Sequence, residues 1–351
     1  MASDATGVLD EAYQRLHETG PEYEGWLSNH GPMAAEAMAR HGHADVVSPW
    51  LDGYVRRLEE FPRGSGPVGA DWRAALGDPK RIADWTVFFQ HETAEQPWRR
   101  VLGDWWPRLL PGSAASATHG IIRVGHAIRA LLIDGDDHVH VAELAHGLAY
   151  WAARWQPYPG TDSQHAQAPD MTPAAALAAV PRLADQSGGF RDRFSRLAAL
   201  PGWPAASLAG GQPEEIRAWL SGLADAAVLR YPDIAHGNPV MLVHSATAPT
   251  AILRSLPALD PELWAPSAAA AWDAAAALTA IYAPAAAVPG PRPAAVASDG
   301  AADEVFTRAV AHGDEHAIKF ADTAADVYDR TGDPAALAAA LRAVDLIPRP
   351  K

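Results

Sequence analysis

Ala311-His312-Gly313-Asp314-Glu315-His316-Ala317-Ile318-Lys319-Phe320 places two histidines and a lysine within eight residues. At about 100° per residue, His312, His316 and Lys319 fall on one helical face, and the spacing predicts a single helix carrying all three. The lysine stands out because the positive charge of the chain is almost entirely arginine: Lys80, Lys319 and Lys351 are its only lysines. A buried amine can lose its proton, act as a base or react covalently, whereas a guanidinium stays charged. Against this stands the plain alternative of a surface helix with scattered polar side chains.

Outward from this stretch the same period recurs. Val8 to Leu16 reads as a helix stopped at Thr19-Gly20-Pro21, and Leu27 to Met33 as a loop that enters a helix at Pro32. Trp50–Glu60 is a further amphipathic helix, and Asp84–His91 and Trp98–Leu110 are short apolar and aromatic segments. Ala114 to Ile133 reads as one long helix stopped at Asp134-Gly135, and His138 to Trp155 as the next, capped by Asp136 or Asp137. Helices are expected over Pro173–Leu200, Pro213–Leu229, from Pro239 to a kink or end at Pro249, over Pro261–Tyr282, and from Asp303 to Arg342 with a break at Thr331-Gly332-Asp333-Pro334. No segment alternates at period two, so the expected fold is all-α: one large domain over residues 1–351 with long Pro/Gly-rich loops, residues 283–300 being the mobile one.

Composition narrows the function classes. The formal net charge of −14 argues against nucleic acid or an anionic membrane surface as a partner. The absence of cysteine excludes disulfides, thiolate nucleophiles, iron–sulfur clusters and Cys-type zinc sites, leaving His, Asp and Glu as metal ligands. The start Met1-Ala2-Ser3-Asp4 has neither a basic region nor an apolar run, and a cytoplasmic protein is the expectation. Thirteen tryptophans outnumber eight tyrosines and seven phenylalanines, which suits broad apolar surfaces in a core or around an aromatic ligand.

Gly64-Ser65-Gly66-Pro67-Val68-Gly69 matches G-x-G-x-x-G but lacks the preceding strand, and Pro67 removes a donor that a phosphate would use, so it is set aside as a dinucleotide site. His119 and His126, seven residues apart, share the stripe of Ile122 and Ile133, and the glycines at 120 and 125 permit close approach of a helix or a flat ligand. His236 and His244 form a further inward pair, and His30 is the loop candidate; His41, His43, His138 and His140 sit in polar turns or at helix starts. Only one Glu-x-x-His occurs, Glu143 to His146, where a di-iron bundle needs two, and neither His-Glu-x-x-His nor Gly-x-Ser-x-Gly is present. A histidine-dominated mononuclear site remains, suited by ligand type to iron, copper or zinc.

At these residues the chain resembles the questin oxidase-like proteins, oxygenases that open the central ring of anthraquinone polyketides. The resemblance rests on Ser28-Asn29-His30-Gly31-Pro32-Met33-Ala34, on the run Ala117 to Ala127, on Glu143 to Trp151, on Val243-His244-Ser245-Ala246-Thr247-Ala248 and on Gly313 to Lys319. It implies a helical oxygenase that cleaves a ring of an anthraquinone-type polyketide with O2 at a mononuclear iron site. The ligands implied are His30, His119, His244, His316 and a carboxylated Lys319, with His126 the alternate to His119 and a catalytic candidate beside Lys319. Tyr150, Trp151 and Trp106, with Trp85 and Trp105, are the candidates for lining the substrate pocket. The alternatives are an NADPH-dependent Baeyer–Villiger-type monooxygenase without metal and a non-catalytic helical protein that binds polyketides.

Overall fold

The computed structural model describes residues 2–161, 171–204, 211–290 and 300–350. The fold is all-α; among the described residues the only sheet is a two-stranded antiparallel ribbon, Glu22–Tyr23 against Leu27–Ser28. Its helices pack as two compact units, Met1–Pro157 with Arg254–Leu263, and Tyr158–Leu253 with Trp264–Lys351.

The first unit is built from α1 (Ala2–His17), α2 (Gly31–Arg40), α3 (Ala44–Tyr54), α4 (Ile82–Glu95), α5 (Trp98–Leu109), α6 (His119–Ile133) and α7 (His138–Ala153). Asp137 caps α7 by accepting from the Val139 and His140 amides, which supplies the start signal that the sequence offers. The fully buried Trp85, Phe89, Trp106 and Trp151 form much of the core. α6 and α7 approach closely because of Gly120: a Cβ built there would lie 2.9 Å from the backbone of Trp151. Gly120→Ala is therefore expected to destabilise this unit by about 1–3 kcal/mol, read as a lowered urea midpoint at unchanged slope.

The second unit contains α8 (Pro173–Ala179), α9 (Phe190–Ser195), α10 (Pro213–Ile234), α11 (Pro239–Ser255), α12 (Trp264–Tyr282), α13 (Ala301–His312), α14 (Glu315–Thr331) and α15 (Pro334–Leu346). Tyr231, Trp272, Phe306 and Phe320 are buried there, and the alanine run of α12 is buried nearly all round.

Several sequence expectations are corrected. The helix expected from Ala114 starts only at His119, and the helical stretch expected over Pro173–Leu200 is covered only by the short helices Pro173–Ala179 and Phe190–Ser195. Of the kink or end expected at Pro249, the end is excluded, since α11 continues through it. Gly313, at φ 88°, ends α13, and Asp314 caps α14, so His312 lies on a different helix from His316 and Lys319. Ile133, placed on the inward stripe, is 59% exposed, because it is the last residue of α6. Of the expected 283–300 loop, residues 291–299 lie outside the described residues.

The loop with the G-x-G-x-x-G match has no strand before it. The Ser65 and Gly66 amides, which a phosphate would need, donate instead to Asp84 Oδ1 at 2.8 and 3.1 Å. Burial raises the Asp84 carboxyl, but these amides, the Ser65 hydroxyl and Arg81 outweigh it and hold it low.

Candidate metal-binding clusters

In the first unit the ribbon leads into the segment that carries His30. The Asn29 amide donates to Pro21 O at 2.8 Å, Asn29 Oδ1 accepts from the Gly31 amide at 2.9 Å, and the His30 amide donates to the Tyr54 hydroxyl at 2.6 Å. His30 is thus fixed at the start of α2 by backbone bonds on both sides, and only 2% of it is exposed.

His119 is the first residue of α6, and the three residues before it are left-handed without being glycine: Ser116, Ala117 and Thr118 at φ 45°, 54° and 75°. Each costs of order 1–2 kcal/mol. Strain concentrated next to one buried side chain is the kind that functional sites hold. The turn lets His119 Nδ1 donate back to Ser116 O, which leaves the Nε2 lone pair pointing away from its own backbone. That Nε2 lies 2.7 Å from His30 Nε2, with the rings nearly perpendicular at 86°. Two nitrogens bound to one ion at about 2.1 Å and 90° stand about 3 Å apart, so the pair has close to the spacing of neighbouring ligands.

His126, the alternate, does not join this pair. Its Nδ1 lies 2.8 Å from Glu36 Oε2, and Arg129 and Arg40 of the same network also bind Glu36. Burial pushes the Glu36 carboxyl up, but the Arg129 guanidinium and the His126 ring outweigh it and keep it well below the usual carboxylate range.

The aromatic candidates are core residues of this unit. Trp106 and Trp151 meet edge to face at 5.3 Å, and Trp151 Nε1 donates to Gly112 O. Trp85 and Trp105 pack with Phe88 and Phe89. Tyr150 stands in a buried network, its hydroxyl 2.7 Å from Ser28 Oγ, 3.0 Å from Ser116 Oγ and 3.2 Å from Glu22 Oε1. It thereby ties the His30 segment to the strained turn before His119.

A second buried cluster escaped the sequence reading apart from its lone Glu-x-x-His. Arg123 grips Glu143 with two bonds of 2.6 and 2.8 Å, and His17 Nε2 lies 2.8 Å from the same carboxylate. Burial raises Glu143, yet Arg123 and then His17 draw it down to about 2. His146 stacks on His17 at 4.1 Å and is held well below its usual range by burial, with the charges of His17 and Arg123 adding to that. Glu143 is therefore occupied as an ion-pair partner.

In the second unit, His244 lies fully buried on α11, and its ring centroid is 5.4 Å from that of His316, at 63°. His316 belongs to the first turn of α14, where Asp314 Oδ1 accepts from its amide at 2.8 Å. The ligand atoms of Asp314, Glu315 and His316 lie within 4.8 Å of one another. One turn further, Lys319 is 1% exposed and its Nζ has no hydrogen-bond partner. Burial lowers its amine to about 8, with Glu315 and Asp314 opposing the shift. About a tenth of Lys319 is then neutral at pH 7, against under a thousandth for a solvated lysine.

His312 leaves the cluster and donates from Nε2 to Ile347 O at 3.0 Å, a consequence of the Gly313 break. His236, expected to face inward, is exposed. Among the described residues no helix is long and apolar enough to cross a membrane. No protein-family model, no curated protein and no solved structure matches the chain.

Proposed function

We propose that this chain is an iron-dependent oxygenase that cleaves a ring of an anthraquinone-type polyketide, with His30, His119, His244, His316 and a carboxylated Lys319 as ligands. The observation that carries the reading is the 2.7 Å approach of His30 and His119 Nε2, with His119 Nδ1 committed to a backbone carbonyl and a strained turn holding it there. Imidazole donors without thiolates suit iron, and backbone-oriented histidines are the form that metal ligands take. Iron would supply a centre that binds a phenolate or keto oxygen of the substrate together with dioxygen.

Lys319 fits the remaining role. Its neutral Nζ adds to the carbon of CO2 and releases one proton, giving a carbamate whose oxygen would be an anionic ligand beside the imidazoles. The NADPH reading finds less support, because the loop with the G-x-G-x-x-G match has its Ser65 and Gly66 amides taken by Asp84. A non-catalytic polyketide-binding protein is the third possibility and the one that the test must separate.

Chain purified anaerobically from iron-replete cells is expected to hold about one iron and to consume O2 with a polyphenolic polyketide. Full activity without a transition metal would overturn the proposal. Iron with no O2 uptake across a panel of polyphenols would favour the binding protein.

A further inference from the structure

Apart from these clusters, we propose that Asp10, Asp137 and His140 form a second divalent-cation site, selective for zinc, which fastens α1 to the start of α7. All three residues belong to the first unit, and their ligand atoms lie within 4.8 Å of one another.

The central residue is His140, a position that reads in sequence as a polar helix start and in the structure is 0% exposed. Its Nδ1 donates to Gly135 O at 3.2 Å and so carries a proton, and Asp137 Oδ2 stands beside the ring, 3.4 Å from Nδ1. Nε2 faces Asp10 Oδ1, 3.1 Å away. Neither atom has a hydrogen-bond partner, although both are buried. A ring nitrogen and a carboxylate oxygen so close, with no hydrogen bond aligned between them, are held together by a proton or by a metal cation. Two ligands on one zinc at about 2.0–2.1 Å and a tetrahedral angle stand about 3.3 Å apart, close to the observed separation.

The surroundings add negative charge. Burial, and after it the carboxylates of Asp137 and Asp134, raise the Asp10 carboxyl, with His140 and His138 opposing. Asp137 Oδ1 is engaged by the Val139 and His140 amides as the helix cap, which orients its other oxygen. Tyr13 closes the apolar side, edge-on to the His140 ring at 5.8 Å. Asp10 and Asp137 keep 30% and 39% of their side chains exposed, so an ion can enter from solvent. One imidazole and two carboxylates, with a water completing the shell, favour zinc over calcium or magnesium, which take oxygen ligands.

The test uses the full chain, stripped with a chelator, reloaded with zinc chloride and dialysed. Bound zinc is counted, and crystals are measured at the zinc edge. Wild type should show an anomalous peak beside His140 Nε2. Asp10→Asn, a mild change at a partly exposed residue, should remove that peak, lower affinity there by at least about 100-fold and reduce the zinc count by about one per chain. His119→Ala should keep this equivalent, so a failure of the iron reading is distinguishable from a failure here. Equal zinc counts for wild type and Asp10→Asn, with no peak at His140, would overturn the proposal and leave a protonated His140 paired with Asp10.

Discussion

Lys319→Arg is expected to empty the chain of iron and to lower activity by at least about 100-fold, because arginine keeps the charge but cannot form a carbamate. Lys319→Met is expected to be equally inactive and yet more stable. The amine is fully buried without a hydrogen-bond partner, and a value of about 8 in place of the ordinary 10.5 corresponds to roughly 3 kcal/mol of destabilisation at neutral pH. Methionine fills similar space without a charge. The pH dependence gives a second readout in the metal-stripped chain. Below pH 8 the folded state carries the buried ammonium, and the penalty is fully present. Between about 8 and 10.5 the unfolded chain binds more protons than the folded one, so stability rises with pH, and the penalty is gone above that range. Lys319→Met should lack this rise. Urea unfolding from pH 7 to 10.5 with iron analysis checks both arms. An iron-loaded, active Lys319→Arg enzyme would remove Lys319 from the ligand set.

A residue that destabilises the fold where it stands is an argument for function, since nothing in packing requires an amine there. The same holds for the left-handed run before His119. Both point to chemistry because they oppose folding.

What was legible in the sequence followed from helical period. His316 and Lys319, three apart, share a helix, whereas the approach of His30 and His119, 89 residues apart, follows from no local period. The error at His312 was avoidable, since glycine at 313 followed by Asp314 is a stop signal and then a cap. The left-handed turn was not readable: Ser116, Ala117 and Thr118 carry no glycine, and tertiary contacts impose their conformation. Nor was the burial of His140, which depends on packing against α1 more than a hundred residues earlier in the chain. The aromatic candidates are buried, and a buried tryptophan looks the same in sequence whether it lines a pocket or a core.

Glu36 gives the largest stability effect expected here, and with it the choice between His119 and His126. Its carboxylate is fully buried and takes Arg129 Nε at 2.8 Å and His126 Nδ1 at 2.8 Å, with Arg40 Nε at 3.3 Å. Because α2 begins directly after His30 and α6 begins at His119, this network sets the distance between the two histidine-bearing helices. Glu36→Leu would strand a buried guanidinium and is expected to cost about 3–5 kcal/mol, whereas the double variant Glu36→Leu/Arg129→Met should recover most of it. Since the folded state holds Glu36 below its ordinary value of 4.5, its contribution is present above that pH and fades on acidification below it; the Leu variant should lose this part of the acid sensitivity. In this arrangement His126 is tied through Nδ1 to the network that spaces α2 and α6. His126→Gln should therefore lower the urea midpoint while keeping iron and turnover, and His119→Gln should do the reverse, remaining folded but losing iron. A folded His126→Gln protein without iron, beside an iron-loaded His119→Gln, would transfer the ligand role to His126 and require Glu36 to act as its orienting carboxylate.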